Sequence, residues 1–343
     1  LSKPIQENTV VTTIDSELQK VAAKALQEML IDNKNSSYFG TAGAMVVMNC
    51  KTGAVLANVS LPTYDITRYF KDYSKLAADT ESPLWNRGLQ SAYAPGSTMK
   101  PAISIAALEE EAADINTTCY CGGSYTLEDQ TFKCLQSHGY LNVTTALEKS
   151  CNIYFFEMGK KLGIDKMNKY CGLLGLGQKT GIELPGEVSG KISFNYKSEI
   201  ATASFGQGIT TTPIQTLQAL SVLTNDGTVL KPYIVDKIVD EKGNVVMQGG
   251  RTEVRKVASK ETTDKVRQLM HKAVYDGVTD AKFFQVDDIT VIGKTGTAQI
   301  ASGKGGYLTG TYDYIKSFAG IFPYEDPQYI IYVSTKQLVG SFR

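Results

Sequence analysis

The sequence predicts an α+β fold in which one antiparallel sheet draws strands from both ends of the chain. Strand-like hydrophobic runs lie near the start and again near the end, and helical-period stripes fill the middle. No internal repeat or low-complexity linker separates them, so 1–343 reads as one domain with a helical lobe.

A first strand is expected over 9–13, followed by a helix over 16–30. Ser16 and Gln19 have capping-box spacing, and Leu18, Val21, Ala22, Ala25, Leu26, Met29 and Leu30 form its apolar stripe. Runs at 42–48 and 54–57 flank Lys51-Thr52-Gly53 and predict a β-hairpin, with Gly53 supplying the permissive turn. Residues 61–95, polar and aromatic, read as a long connection. A helix then begins near Ser97 and runs through Ile103, Ile105 and Leu108. Rich in Cys, Gly and Thr, 116–140 reads as a hairpin or loop excursion. Further helices are expected over 144–162, 212–223 and 261–274, and strands over 289–292, 318–322 and 329–335. The chain starts at Leu1 and ends at Ser341-Phe342-Arg343 without the pattern of a closing helix, so it reads as part of a longer protein.

Composition narrows the function. Lys+Arg and Asp+Glu both number 35, which removes the basic footprint of a nucleic-acid binder. With 42% hydrophobic and 20% charged residues the chain is globular rather than disordered. No stretch approaches the roughly 18 continuous apolar residues of a membrane span.

The chemistry-bearing residues begin with a serine. A serine nucleophile needs a base, yet the two histidines, His138 and His271, sit in no triad signature. Ser97-Thr98-Met99-Lys100 supplies another base, since positions i and i+3 share a helix face and bring the Lys100 amine toward the Ser97 hydroxyl. Pro95-Gly96 fits a sharp entry into that helix, leaving the Ser97 N–H uncommitted and available to an oxyanion. Two further motifs follow in order, Ser150-Cys151-Asn152 and Lys294-Thr295-Gly296-Thr297. Ser-x-x-Lys, Ser-x-Asn and Lys-Thr-Gly together are the signature of penicillin-binding proteins and class A β-lactamases. Lys51-Thr52-Gly53 precedes the nucleophile and reads as the hairpin turn, and Lys179-Thr180-Gly181 lies in a loop; Ser193-Phe194-Asn195 also matches the short pattern, but Ser150 sits between helical segments, where Ser and Asn can both reach a cleft.

The chain resembles the transpeptidase domain of class B penicillin-binding proteins. The shared segments include Thr12-Thr13-Ile14-Asp15, Pro62-Thr63-Tyr64-Asp65, Trp85-Asn86-Arg87, Gly181-Ile182-Glu183-Leu184-Pro185-Gly186-Glu187 and Phe205-Gly206-Gln207-Gly208. That resemblance implies a penicillin-binding/β-lactamase-like transpeptidase fold, with an antiparallel sheet flanked by helices and a helical lobe. It implies a peptidoglycan D,D-transpeptidase in which Ser97 attacks the D-Ala–D-Ala carbonyl of a stem peptide and a second stem's amine resolves the acyl-enzyme. Lys100 would be the base, with Ser150 and Lys294 relaying protons and Asn152 holding the substrate amide. The N–H groups of Ser97 and Thr297 would form the oxyanion hole. Thr295, Gly296 and Thr297 would bind the substrate, the two hydroxyls taking its carboxylate. The implied setting is the extracytoplasmic face of a bacterial membrane, with the parent's anchor and pedestal outside this stretch. The implied partners are stem peptides, β-lactams and a glycosyltransferase. A β-lactamase would also need a deacylating Glu; Glu183 and Glu187 are the candidates, though they fall in the Gly-Ile-Glu-Leu-Pro-Gly-Glu turn. A D,D-carboxypeptidase, with water in place of the acceptor amine, and a catalytically dead scaffold compete with the transpeptidase.

No cofactor is needed for that chemistry. Cys119-x-Cys121, Cys134-x3-His138 and Cys151 nevertheless lie in one stretch at spacings compatible with a tetrahedral zinc site, and the resemblance to some class B enzymes implies Cys121, Cys134, His138 and Cys151 as the ligands. A structural zinc is one reading; a Cys121–Cys134 disulfide and buried thiols are the others, and the part played by Cys119 stays open.

Overall fold

The computed structural model describes residues 8–32, 40–127, 129–276, 283–302, 306–308 and 313–336. Strand β1 (Asn8–Thr12) leads into helix α1 (Ser16–Gln27). The cap of α1 is Asp15, one residue before the expected Ser16: its carboxylate accepts the N–H groups of Glu17 and Leu18. Gln19 is not a capping-box partner. Its amide exchanges hydrogen bonds of 3.1 and 2.8 Å with the backbone of Asn58. Asn58 belongs to β3 (Val55–Leu61), which forms the expected hairpin with β2 (Ala42–Asn49) across Gly53, at φ +86°.

The connection that follows contains helices that the pattern did not announce, α2 (Tyr69–Ala78) and α3 (Arg87–Gln90). No residue of α2 is buried, so no core-facing stripe marked it. Local contacts hold it instead, notably the Arg68–Asp72 pair at i, i+4. A 3₁₀ turn, Gly96–Met99, runs into α4 (Lys100–Glu109). The excursion at 116–140 is two nested two-stranded sheets. Strand β4 (Cys119–Cys121) pairs with β7 (Gly139–Leu141), and β5 (Ser124–Leu127) with β6 (Gln130–Lys133).

The helix expected over 144–162 is broken into α5 (Val143–Glu148) and α6 (Asn152–Leu173). Helices α7 (Lys197–Ala203) and α8 (Pro213–Leu220) follow. Four short strands then appear where none was expected: β8 (Thr228–Leu230), β9 (Val235–Asp240), β10 (Val245–Gln248) and β11 (Glu253–Lys256). Strand β9 takes β1 into a separate three-stranded sheet, so the first strand does not join the main one. Helix α9 (Lys260–Tyr275) precedes β12 (Ile292–Gln299), β13 (Tyr314–Phe322) and β14 (Tyr329–Lys336).

The main sheet has the order β12-β13-β14-β2-β3 and is antiparallel throughout, built from both ends of the chain as expected. Both of its faces are covered, which is why β2 is apolar along its whole length rather than alternating. Met45 and Val47 face α1 with Ala22, Leu26 and Val59, whereas Val46 and Met48 join the large core beneath α4, α6, α8 and α9. Strand β12 runs through Lys294-Thr295-Gly296 and begins where the expected strand at 289–292 ended, because Gly and Thr weaken the apolar signal there. It forms one edge of the sheet. No helix among the described residues is long and apolar enough to cross a membrane. The expectation of no closing helix falls at 341–343, outside the described residues.

Leu26 has no exposed surface and fills the space between α1 and the sheet. Leu26→Ala should cost about 2–5 kcal/mol, read as a lower urea midpoint at unchanged slope.

Candidate active site

Three elements meet at one cleft of about 700 Å³, lined on its catalytic side by Ser97, Ser150, Asn152, Thr295 and Thr297. Each is placed by a local feature of the sequence. Gly96 takes φ +58°, which turns the chain sharply into the 3₁₀ turn and puts Ser97 at its mouth. Pro101 then fits the first turn of α4, where its missing N–H costs nothing. Ser150 sits in the break between α5 and α6 at φ +51°, an uncommon conformation for a residue with a side chain. Asn152 opens α6, and Cys151 caps it by accepting the Tyr154 N–H on sulfur.

Lys100 is 0% exposed. Its Nζ donates to Ser150 O at 2.7 Å, Asn152 Oδ1 at 2.9 Å and Ser150 Oγ at 3.0 Å. Ser150 Oγ donates in turn to Ser97 Oγ at 2.9 Å. The sequence pointed to direct approach of Lys100 to Ser97; in the structure the connection passes through Ser150. Burial first, and then the positive charge of Lys294, push the Lys100 ammonium well below its ordinary pKa, against an opposing effect of Cys134 and Cys151.

Lys294 is 1% exposed, and its Nζ donates to Thr295 O at 3.1 Å. Thr295 and Thr297 present their side chains to the cleft, while Gly296 between them turns toward the nucleophile's own turn. A Cβ on Gly296 would lie 2.8 Å from Pro95 O. Gly296 therefore lets the edge strand approach instead of presenting a side chain to a ligand. A Cβ on Gly96 would lie 2.8 Å from Thr297 O and 3.2 Å from Thr297 N, so the backbones of the turn and the strand touch. Gly206 completes the packing, since its carbonyl accepts the Gly96 N–H at 2.9 Å.

The motif matches outside the set have other partners. Lys51-Thr52-Gly53 is the β2–β3 turn, and Thr180 donates its N–H and hydroxyl to the buried Glu187 at 2.6 Å each. Glu183 accepts from Ile234 N and Lys231 Nζ. Both glutamates are thus committed to holding their turn.

Sequence reasoning missed Lys316. Strand β13 begins before the stretch where a strand was expected, so Lys316 was never placed on it. Register puts it opposite Thr297, whose Oγ1 accepts from its Nζ at 3.3 Å.

Beside the break, the side chains of Cys121, Cys134, His138 and Cys151 bring their ligand atoms within 4.8 Å of one another. All six cysteines are free, so Cys121 and Cys134 are not joined. Cys134 and Cys151 sulfurs are 3.8 Å apart, and His138 Nδ1 lies 3.5 Å from both Cys121 and Cys134 sulfurs. Tetrahedral zinc bonds of ordinary length give edges of about 3.8 Å between sulfurs and about 3.5 Å from sulfur to nitrogen. The donor set therefore fits that ion. The Cys151 thiol bonding to it, assisted by the Asn152 and Ile153 amides and the His138 charge, pushes the Cys134 thiol down, while the same bond and burial push Cys151 up. Cys119 is not in the group.

Residues 43–338 match the family model described as penicillin binding protein transpeptidase domain. The chain is 33% identical over 340 residues to stage V sporulation protein D of Bacillus subtilis, covering 96% of this chain and 50% of that protein. It is 30% identical over 320 residues to peptidoglycan D,D-transpeptidase MrdA of Acinetobacter baumannii, covering 87% and 46%. The chain thus spans about half the length of these curated relatives. Penicillin binding protein 3 of Mycobacterium tuberculosis, solved in complex with aztreonam, superposes with TM-score 0.86 at 26% identity, over 96% of this chain and 73% of that one. The D,D-transpeptidase domain of a peptidoglycan glycosyltransferase from Eggerthella lenta gives 0.82 at 26%, over 96% and 78%.

A Cβ on Gly206 would fall 1.9 Å from Gly96 O. Gly206→Ala should displace the nucleophile's turn and slow covalent labelling of Ser97 by about 100-fold, measured as a second-order rate on protein shown to be folded by circular dichroism.

Proposed function

The chain belongs to the penicillin-binding-protein transpeptidase family, and on that footing we propose that it is a peptidoglycan D,D-transpeptidase working through a Ser97 acyl-enzyme. The observation that carries the reading is the hydrogen-bonded chain from Ser97 through Ser150 to the buried amine of Lys100. With Lys100 neutral, that chain runs in the productive direction: the Ser97 hydroxyl proton passes to Ser150 Oγ as the Ser150 proton passes to Lys100 Nζ. Ser97 Oγ then bonds to the penultimate D-Ala carbonyl carbon of the donor stem. Lys100 returns the proton, by way of Ser150 and with Lys294 at hand, to the leaving nitrogen of the terminal D-Ala. An amine of a second stem enters by the reverse sequence.

The contact of Gly96 with Thr297 supports an oxyanion hole made from the Ser97 and Thr297 N–H groups. Asn152 would hold the donor's amide, and the Thr295 and Thr297 hydroxyls its terminal carboxylate. Glu183 and Glu187, committed to their own turn, weigh against β-lactamase hydrolysis. The reading places the domain on the extracytoplasmic face of a bacterial membrane, working beside a glycosyltransferase.

The fit of Cys121, Cys134, His138 and Cys151 supports a structural zinc held by these four side chains. Bound there, the ion would supply positive charge to neutralise thiolates. Their own role is to tie the β4–β7 excursion to the start of α6: Asn152 N donates to Cys134 sulfur at 3.2 Å, so this cluster helps aim Ser150 and Asn152.

Penicillin should add covalently to Ser97, seen by intact mass and peptide mapping, and Ser97→Ala should show no adduct. Absence of a Ser97 adduct on folded protein would sink the reading. The rate should rise with pH through the lowered pKa of Lys100 and then level, because only the deprotonated amine accepts the proton. Lys100→Met should lose about 10²- to 10⁴-fold together with that acid limb. Protein purified without chelator should carry one zinc per chain by elemental analysis, and Cys134→Ser should lose the metal and melt at lower temperature; metal-free wild type would overturn the zinc assignment.

A further inference from the structure

We propose that Lys133 is a specificity-determining residue that pairs with an acidic group of the donor peptide upstream of the scissile bond. The inference rests on the transpeptidase reading and concerns the wall of the cleft opposite β12.

The pairing pattern of the β5–β6 hairpin shapes that wall. Phe132 stands opposite Tyr125 and Gln130 opposite Leu127, and Cys134 N donates to Gly123 O at 2.9 Å. Antiparallel pairing alternates hydrogen-bonded with non-hydrogen-bonded pairs, so Phe132 and Gln130 turn their N–H and C=O groups toward β5. Thr131 and Lys133 turn theirs outward, and among the described residues no strand pairs with that side of β6. The Lys133 carbonyl accepts Asn152 Nδ2 at 3.2 Å, so this free edge begins at Asn152. Thr131 and Lys133 both line the cleft, and Phe132 between them is buried against Phe156, which pins the hairpin. With the donor's terminal carboxylate on β12 and its amide at Asn152, the part of the peptide that leaves past Lys133 is the upstream part. An open strand edge there suits an extended chain.

Charge gives the second argument. Among the described residues that line the cleft, Lys133 and Lys316 carry formal charge and no carboxylate does. Lys316 is bonded to Thr297, whereas Lys133 is exposed and its Nζ has no partner among the described residues. An uncompensated cation beside the path of a peptide favours an anionic group at that point. Because Lys133 stands in water, the pairing is modest in strength, and it discriminates between ligands rather than carrying their binding. The ligand class it selects is an extended acyl-peptide with a free carboxylate shortly before the scissile D-Ala.

The test uses two penicillins that differ only at the end of the amide side chain, one ending in a carboxylate and the other in the matching primary amide. Both keep the ring carboxylate, so recognition at β12 is the same for each. Second-order acylation rates are read by intact mass on wild type, Lys133→Met, Lys133→Arg and Lys133→Glu. Wild type should prefer the acid by about 3- to 10-fold, and added salt should shrink that preference. Lys133→Met should erase it, Lys133→Arg keep it and Lys133→Glu reverse it. Equal rates for the two probes on wild type would overturn the inference. So would a preference that survives in Lys133→Met with both probes slowed alike, which would make Lys133 a structural part of the hairpin. Wild type left unlabelled by both probes would instead sink the transpeptidase reading, and this inference with it.

Discussion

Burial of the Lys100 amine is the constraint from which most of this architecture follows. An ammonium taken wholly out of water is costly unless it is hydrogen-bonded or gives up its proton. The chain meets that demand with a backbone carbonyl, a hydroxyl and an amide oxygen, all from Ser150 and Asn152. One unbroken helix could not aim both residues at a single point from opposite sides of Cys151. The break between α5 and α6, with Ser150 in a strained left-handed conformation, is therefore the structural counterpart of a buried base. The cysteine cluster stands at that break, where it ties the start of α6 to the excursion that covers it.

A second constraint acts from the other wall of the cleft. Edge strands are exposed liabilities unless something occupies them, and here the free side of β12 meets the nucleophile's turn. The meeting is backbone on backbone. Glycine at 96 and 296 removes the two Cβ atoms that would hold the turn and the strand apart, and glycine at 206 lets its own segment close on Gly96. The short distance between the turn and the strand lets one carbonyl carbon be reached by Ser97 and by donors on β12 at once. Moving either layer by the width of a methyl group would separate nucleophile from stabiliser, and the chemistry depends on both.

How much of this the sequence disclosed follows from the kind of signal each part leaves. Main-sheet strands buried on both faces leave long apolar runs, and the β2–β3 hairpin was legible for that reason. Ser97, Lys100, Ser150, Asn152 and Lys294 were legible because fixed spacing on a turn, a break and a strand is written directly in the chain. Helix α2 was not, since it buries nothing and its stability is local. Strand β8 is too short to leave a period, and β10 and β11 are both short and largely exposed. The hydrogen-bonded step through Ser150 between Lys100 and Ser97 was not legible in the spacing itself, because helical spacing brings two side chains near each other without saying what lies between them. Lys316 escaped because its meaning depends on register with β12, which is a property of the paired strands and not of either one.

The cleft's cations are thereby graded by depth, and depth separates their roles. Lys100 and Lys294 lie out of water, where each charge is felt strongly by the other: the charge of Lys294 helps hold Lys100 ready to accept a proton. A surface charge in the place of Lys294 would be screened by solvent and would depress Lys100 far less. Conversely, a buried cation is poorly placed to capture an arriving carboxylate, because the anion would have to be stripped of water to reach it. Strand β12 thus keeps the charge of Lys294 beneath the surface, where its effect on Lys100 is largest.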